Sequence, residues 1–210
     1  MPNTAKWSAR EAYDRLQEGN QRYVRNVRSV DSLLSHSRRD LSLQTPVAIV
    51  LGCSDSRAPA EIVFDQGLGD LFVIRVAGNI VAPSQVGSVE FAAERFGTRL
   101  VVVMGHTQCG AIDAALESIA RDTGPESRNM MSIVDRVRSS IASLVHTDLA
   151  HDPERLRREA VRANVRAAVD HLRHGSVIIE RLIQSDGLAV LGAELDLTSG
   201  EVVFFDGGVE

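Results

Sequence analysis

The stretch that decides the fold is PVAIVLG at residues 46–52, which runs directly into CSDSR at residues 53–57. Its apolar residues are continuous rather than alternating, which is typical of a strand buried on both faces of a parallel sheet. Two further apolar segments follow, LFVIRVA at 71–77 and LVVVM at 100–104, and a helical pattern comes after each of them. This alternation up to residue 120 predicts an α/β fold with a mainly parallel central sheet flanked by helices.

Capping and turn residues predict the helices and strands on either side of this core. Ser8 with Glu11 is a capping-box pattern that predicts a helix through Leu16, with Gly19-Asn20 as its expected break. Ser84 is the expected cap of the helix after the second strand. The remaining patterns predict a short helix at 58–61, helices at 130–145, 153–174 and 176–184, and strands at 188–195 and 202–205 joined by a turn at 198–200.

We expect these elements to form one domain spanning residues 1–210. Within it, residues 1–45 are predicted to be an N-terminal helical arm, residues 46–120 the core that carries the site, and residues 121–210 the C-terminal helices and edge strands. The arm can lie along its own domain or embrace a second subunit, and the sequence leaves both arrangements open.

The composition is typical of a folded domain and gives no sign of a nucleic-acid-binding or membrane protein. A chain of 210 residues with 44% hydrophobic residues is long enough for one full core. A net charge of −5 gives no reason to expect nucleic acid as a partner. No apolar run is long enough for a membrane span, and residues 1–7 lack the apolar core of a signal peptide, so no membrane and a cytoplasmic location are expected. In that reducing setting, two cysteines are more often metal-binding, catalytic or inert than disulfide-bonded.

Two polar motifs come directly after predicted strands. CSDSR at 53–57 follows the first strand, and HTQCG at 106–110 follows the strand at 100–104. Strand ends of a parallel sheet meet at its carboxyl edge, where α/β proteins place their ligands. Cys53, His106 and Cys109 then form the three-ligand set of a catalytic zinc site with one exchangeable position. The His-x-x-Cys spacing alone is weak evidence, but both cysteines of the chain at strand ends favour a metal over a disulfide or core thiols.

Asp55 can take either of two roles beside this site. Its carboxylate can fill the fourth zinc position and close the site. It can instead pair with Arg57, leave that position to water and accept a hydrogen bond from the bound hydroxide. A guanidinium two residues away suits the bidentate grip of a carboxylate. An exposed ion pair of little consequence is the simpler interpretation of Asp-x-Arg, but the adjacent metal ligand favours a functional one.

The string CSDSR followed by GHTQCGA at 105–111 resembles the β-class carbonic anhydrases. The likeness extends through EIVFD at 61–65, FVIRVAGN at 72–79 and GSVEFA at 87–92, and so covers most of residues 40–120. The resemblance implies the β-carbonic anhydrase fold and one Zn²⁺ per subunit. It also implies the reversible hydration of carbon dioxide to bicarbonate and a proton by zinc-bound hydroxide. Asp55 and Arg57 would then act as a gate, with activity rising from about pH 7 to 8.5, near the titration of zinc-bound water.

The same resemblance implies a homo-oligomer, a dimer or a tetramer, whose substrate pocket is built partly by the neighbouring subunit. The residues that it assigns to substrate are Gln44, Phe72, Phe91 and Gly110. As simpler interpretations, the two Phe are plain core residues and Gln44 is a polar loop residue. One subgroup has a second, inhibitory bicarbonate pocket of Trp, Arg and Tyr. Here Arg75 matches the Arg, but Val50 stands in the Trp position and no Tyr follows residue 23, so that pocket is incomplete and the features are more plant-like.

Two other functions fit the same motifs. The first is hydrolysis of carbon disulfide or carbonyl sulfide on the same fold and zinc site. The second is a zinc-binding or redox protein without turnover, against which the retained Asp55, Arg57 and Gln44 argue. The five remaining histidines are expected to be solvated surface residues rather than proton shuttles: His36, His146, His151, His171 and His174.

Overall fold

A computed structural model describes residues 7–27, 44–121 and 127–209 of the chain. Most of the predicted helices and strands are present. The helices are α1 (Ala9–Val24), α2 (Ala60–Val63), α3 (Pro83–Arg95), α4 (Gly110–Arg121), α5 (Arg128–Ile141), α6 (Pro153–His174) and α7 (Val177–Ser185). The strands are β1 (Ala48–Gly52), β2 (Leu71–Arg75), β3 (Leu100–His106), β4 (Ala189–Leu195) and β5 (Val202–Asp206). Short 3-10 turns cover Ala77–Asn79, Leu144–His146 and Asp148–His151.

The five strands form one sheet in the order β2-β1-β3-β4-β5. The first four are mutually parallel, and β5 runs antiparallel to β4 at the edge. The α/β prediction is therefore confirmed, and so is the expected adjacency of the first and third strands. The register pairs Gly52 of β1 with Met104 of β3, so both strands reach the same carboxyl edge.

Helices cover both faces of the sheet because β1 and β3 are apolar on both sides. On one face α1 and α2 contribute Leu16 and Phe64 to the core that includes Val50 and Val102. On the other face α3, α6 and α7 pack against alternate residues of the same strands. A third cluster lies beyond the carboxyl edge, where α4, α5 and α6 surround Cys53 and Cys109. The site is thus set on a packed apolar base.

The expected helix break at Gly19-Asn20 is wrong, because α1 continues to Val24. A side chain at position 19 would collide with the backbone, since its Cβ would lie 1.8 Å from the Phe64 carbonyl oxygen. Asn20 is buried and donates its amide to the carbonyl oxygens of Val63 and Gly200. Both residues therefore serve close packing of α1 on its own domain. Tertiary contacts outweigh their weak helix propensity.

Several predicted boundaries also shift. Ser84 does not cap its helix, because α3 begins at Pro83 with Ala82 in the cap position. Proline is well suited to the first helical position, where its missing N–H is not needed. β2 ends at Arg75, whereas β3 continues to His106, which places the histidine inside the strand. The capping box at Ser8 is confirmed, and the Asp152 side chain caps α6 by accepting from the Arg155 N–H.

No helix within the three described ranges is long and apolar enough to cross a membrane. The structure describes residues 7–27 and 44–45 of the predicted arm, but not the segment between them. The interpretation of residues 1–210 as one domain stays a prediction.

Candidate metal centre

Three side chains meet at the carboxyl edge of the sheet. Cys53 follows the last residue of β1, His106 is the last residue of β3, and Cys109 immediately precedes α4. Their ligand atoms all lie within 4.8 Å of one another. The three residues are 5%, 1% and 4% exposed. The predicted grouping of two thiols and one imidazole is present, and it is shielded from solvent.

A tight turn after β3 brings Cys109 back toward His106. Gln108 has φ = 57°, a left-handed conformation that reverses the chain over two residues. The turn is anchored to the next strand, because the Thr107 N–H donates to the Leu195 carbonyl oxygen at 3.0 Å. The Thr107 hydroxyl oxygen accepts a bond from the Leu197 N–H at 3.0 Å. These contacts fix the His-x-x-Cys segment to the end of β4.

The imidazole of His106 has one engaged and one unpaired nitrogen. Nδ1 lies 2.8 Å from the Thr107 carbonyl oxygen, which makes Nδ1 the protonated nitrogen. Nε2 is buried and has no hydrogen-bond partner among the described residues. A buried polar atom without a partner is costly. A metal ion bound between this imidazole and the two sulfur atoms, whose ligand atoms lie within 4.8 Å of one another, would give Nε2 a partner.

The two thiols have pKa values shifted in opposite directions. The hydrogen bond from Cys109 is the largest of the effects that lower the pKa of Cys53, which falls to about 4. The same bond, followed by burial, raises the pKa of Cys109 well above its ordinary value. These opposite shifts favour the thiolate on Cys53, and a nearby cation would favour loss of the second proton. The Gly78 N–H also donates to Cys53 Sγ at 3.4 Å.

The carboxylate of Asp55 is turned toward Arg57. Its Oδ1 accepts bonds from the Arg57 backbone N–H at 2.9 Å and from Nε at 3.0 Å. Its Oδ2 accepts from Nη2 at 2.8 Å and lies 3.9 Å from His106 Nε2. The side-chain hydrogen bond from Arg57 holds the pKa of Asp55 well below its usual range. Asp55 is thus an ionised group beside the three donors but is held by the arginine.

Arg75 has a role at this site that the sequence did not indicate. Its Nε donates to the Cys53 carbonyl oxygen at 3.0 Å, and its Nη2 donates to the Asp55 carbonyl oxygen. It is the last residue of β2 and pairs with Gly52 in the sheet register. The guanidinium therefore braces the loop that carries both Cys53 and Asp55. Its position at the end of the neighbouring strand was the available signal.

The predicted substrate residues do not all lie at this centre. Gly110 begins α4 next to Cys109, as expected. Phe72 pairs with Ile49, four residues before Cys53 in β1, which corresponds to about 13 Å along the strand. Phe91 is 54% exposed and its ring centroid lies 6.3 Å from that of Phe72. Gln44 is exposed and precedes β1 at the opposite end of the strand.

The chain is similar to known carbonic anhydrases. The carbonic anhydrase family model matches residues 48–202. The chain is 37% identical over 210 residues to carbonic anhydrase 2 of Mycobacterium tuberculosis, with 98% of this chain and 96% of that protein covered. It is 35% identical to a carbonic anhydrase of Mycolicibacterium smegmatis, with 96% of this chain and 94% of that protein covered.

The chain belongs to the β-class carbonic anhydrases. The resemblance of its two motifs to that family is confirmed, and as a carbonic anhydrase it is an enzyme. One of two tetrameric β-carbonic anhydrases from Sordaria macrospora has a similar fold, with a TM-score of 0.73 at 23% identity over 84% of this chain and 92% of that one.

The histidines outside the centre of this carbonic anhydrase lie where surface residues were expected. All four that the structure describes are exposed: His146, His151, His171 and His174. His36 falls outside the described residues. Within the described part of the chain, none of these side chains joins the Cys-His-Cys group.

Proposed function

We propose that the protein catalyses the reversible hydration of carbon dioxide to bicarbonate and a proton, using one zinc ion per subunit held by Cys53, His106 and Cys109. The observation that carries the proposal is the buried group of two sulfurs and an unpaired imidazole nitrogen, with the Arg57-held carboxylate of Asp55 beside it. Thiolate and imidazole are the donors that zinc takes in proteins, and three of them leave one position open.

A zinc ion bound there would lower the pKa of a coordinated water toward neutrality and so supply a nucleophile for carbon dioxide. The residues of the chain fit such an ion in charge as well as in geometry. One thiol already has a strongly lowered pKa, and a divalent cation would compensate the loss of the second proton. The apolar packing around Cys53 and Cys109 would exclude bulk water from the ligands.

In this proposal Asp55 is a positioning acceptor rather than a zinc ligand. Its two oxygens both accept from Arg57, which supports an open fourth position. The oxygen that lies 3.9 Å from His106 Nε2 would accept a hydrogen bond from the nucleophile and orient its lone pair toward carbon dioxide. Because the pKa of Asp55 is lowered, the carboxylate would hold no proton at neutral pH. Proton release therefore passes to water or another group.

We further propose that a homo-oligomer completes the site, with Gln44, Phe72 and Phe91 of one subunit serving the centre of another. Within one chain, Phe72 in β2 lies beside Ile49 and Gln44 precedes β1, so both are well back from Cys53 along the strand direction. The exposed ring of Phe91 and its contact with Phe72 make an apolar patch suited to a subunit interface. A cytoplasmic location is also proposed, in keeping with the assignment of both cysteines to a metal centre rather than to a disulfide.

The test is stopped-flow measurement of proton release from carbon dioxide by the zinc-loaded protein. We expect turnover that disappears on chelation and returns with zinc. The Asp55→Asn variant should keep zinc and lose about 10²-fold in kcat/KM. The amide has a single acceptor oxygen, and its nitrogen donates where the second carboxylate oxygen accepted. No turnover by the zinc-replete wild type would contradict the proposal. Turnover of carbon disulfide or carbonyl sulfide in its place would assign the site to those substrates.

A further inference from the structure

Asn164 is a buried polar residue on α6, a helix that supplies no ligand to the Cys-His-Cys group. It is 4% exposed. Its Nδ2 donates to the Gly78 carbonyl oxygen at 2.8 Å, and its Oδ1 lies 3.3 Å from the Ser140 hydroxyl, which it shares with the nearer Val137 carbonyl oxygen at 2.7 Å. Burial of an amide is costly unless its hydrogen bonds are made, and here both ends are used. The side chain therefore links α5 and α6 to the turn at Ala77–Asn79.

Gly78 connects that side chain to the metal centre. Its N–H donates to Cys53 Sγ at 3.4 Å, while its carbonyl accepts from Asn164. Its φ of 67° lies in the left-handed region that glycine adopts readily. A Cβ at this position would lie 3.0 Å from Ala111 Cβ, so the backbone packs closely against α4. The bond from Asn164 holds the Gly78–Asn79 peptide group, and through the backbone dihedrals of Gly78 it restrains the preceding peptide, whose N–H faces Cys53.

We propose that Asn164 is a positioning residue that sets the donor strength of Cys53 by aiming the Gly78 N–H at its sulfur. Hydrogen bonds to a ligand sulfur withdraw charge from it and tune the metal it holds. The inference rests on the zinc site of the proposed function. It adds a connection that runs from the sulfur of Cys53 through the backbone of Gly78 to Asn164, which is 111 positions from Cys53 in the chain.

The experiment uses cobalt(II) as a spectroscopic probe in place of zinc, because thiolate ligands give a charge-transfer absorption to cobalt. The variant is Asn164→Leu, which is of similar size and has no hydrogen-bond donor. Position 164 borders a cavity of about 640 Å³, which gives the new side chain room. We expect the charge-transfer band to move to longer wavelength, because the sulfur gives up charge more readily. Zinc affinity, measured by chelator competition, should fall about tenfold, because the turn at Ala77–Asn79 no longer holds the ligand loop in place for the ion.

Asn20→Leu is the matched control. Asn20 is also buried, at 6% exposure, and also donates to backbone carbonyls, those of Val63 and Gly200. These contacts hold α1 and lie outside the metal centre. The control should lower the unfolding temperature and leave both the cobalt band and the zinc affinity unchanged. If Asn164→Leu fails to fold, Asn164→Ala removes the same donor without adding bulk and is measured in the same way.

A folded Asn164→Leu or Asn164→Ala protein with the wild-type band and wild-type zinc affinity would overturn the inference. An equal change in the Asn20→Leu control would do so as well, because it would reflect general destabilisation. A wild-type protein that shows no thiolate-to-cobalt absorption would instead contradict the proposed zinc site itself. The two failures are therefore distinguishable in one set of spectra.

Discussion

Arg57 grips Asp55 in a bidentate contact, with Nε 3.0 Å from Oδ1 and Nη2 2.8 Å from Oδ2. The same Nη2 also donates to the Gln108 carbonyl oxygen at 3.1 Å. One guanidinium thus connects the loop of Cys53 to the loop of Cys109. The arginine determines where the carboxylate points, and its contact with the Gln108 carbonyl oxygen holds the guanidinium in this arrangement.

Replacing Arg57 by Ala should lower kcat/KM by about 10²-fold, the usual cost of removing one preorganised donor from an active site. The freed carboxylate can then turn toward the metal. Thermal stability should change little, because Arg57 is 51% exposed and exposed ion pairs contribute little. Arg181→Ala is the control, since Arg181 forms an exposed pair with Glu94 at 2.8 Å. Wild-type kcat/KM in Arg57→Ala would contradict the gate.

Activity should rise steeply between about pH 7 and 8.5, the range in which zinc-bound water titrates. Protonation of Asp55 does not cause this rise. Its pKa is lowered by Arg57 below the ordinary value of about 3.9, so it is already ionised throughout that range. The stability that its ion pair contributes is present above that value and is lost only as pH falls through the lowered pKa. The pH profile of kcat/KM checks the prediction, and a flat profile would refute it.

Mixing two inactive variants should restore activity if the neighbouring subunit completes the site. Gln44→Ala is expected to lower kcat/KM through the partner's centre, and Asp55→Asn through its own. A mixed dimer then has one intact site, so re-association of equal amounts should recover about a quarter of wild-type activity. Either variant mixed with itself is the control. Recovery no greater than in the controls would place Gln44 outside the partner's site.

Gly19→Ala should destabilise the fold, because its Cβ would lie 1.8 Å from the Phe64 carbonyl oxygen. We expect a loss of about 1–3 kcal/mol in the free energy of unfolding, the typical cost of overpacking. Gly87→Ala in α3 is the matched control, since apart from its chain neighbours and the backbone of its own helix no atom of the described residues lies within 4 Å of its Cβ position. A helical Ala there should raise stability by about 0.5–1 kcal/mol. Chemical denaturation measures both, and equal effects would contradict the packing argument.

The ligand group could be predicted because each strand end that carries a ligand can be recognised from its local sequence. Cys53 and His106 each end a continuous apolar run, and the rules of parallel sheets bring such ends together. Arg75 and Asn164 were not predicted to support the site, because each acts through a backbone atom of a segment distant in sequence. Every residue has a backbone carbonyl, so no residue type in the sequence marks such an acceptor.

The continuation of α1 past Gly19 was missed for a related reason. The sequence shows a helix breaker, whereas the fold uses the missing side chain for contact with Phe64. The roles of Gln44, Phe72 and Phe91 stay predictions, since they depend on a second subunit. Residues 28–43, which precede Gln44, lie outside the described part of the chain.

Cys53 and His106 are 53 positions apart in the chain, and they meet only because β1 and β3 are neighbours in the sheet. Pairing of segments so distant in sequence is slow, since the loop between them must close first. A refolding chain therefore holds no three-ligand site until that pairing is complete. The time at which added metal binds during refolding would therefore report when β1 and β3 pair.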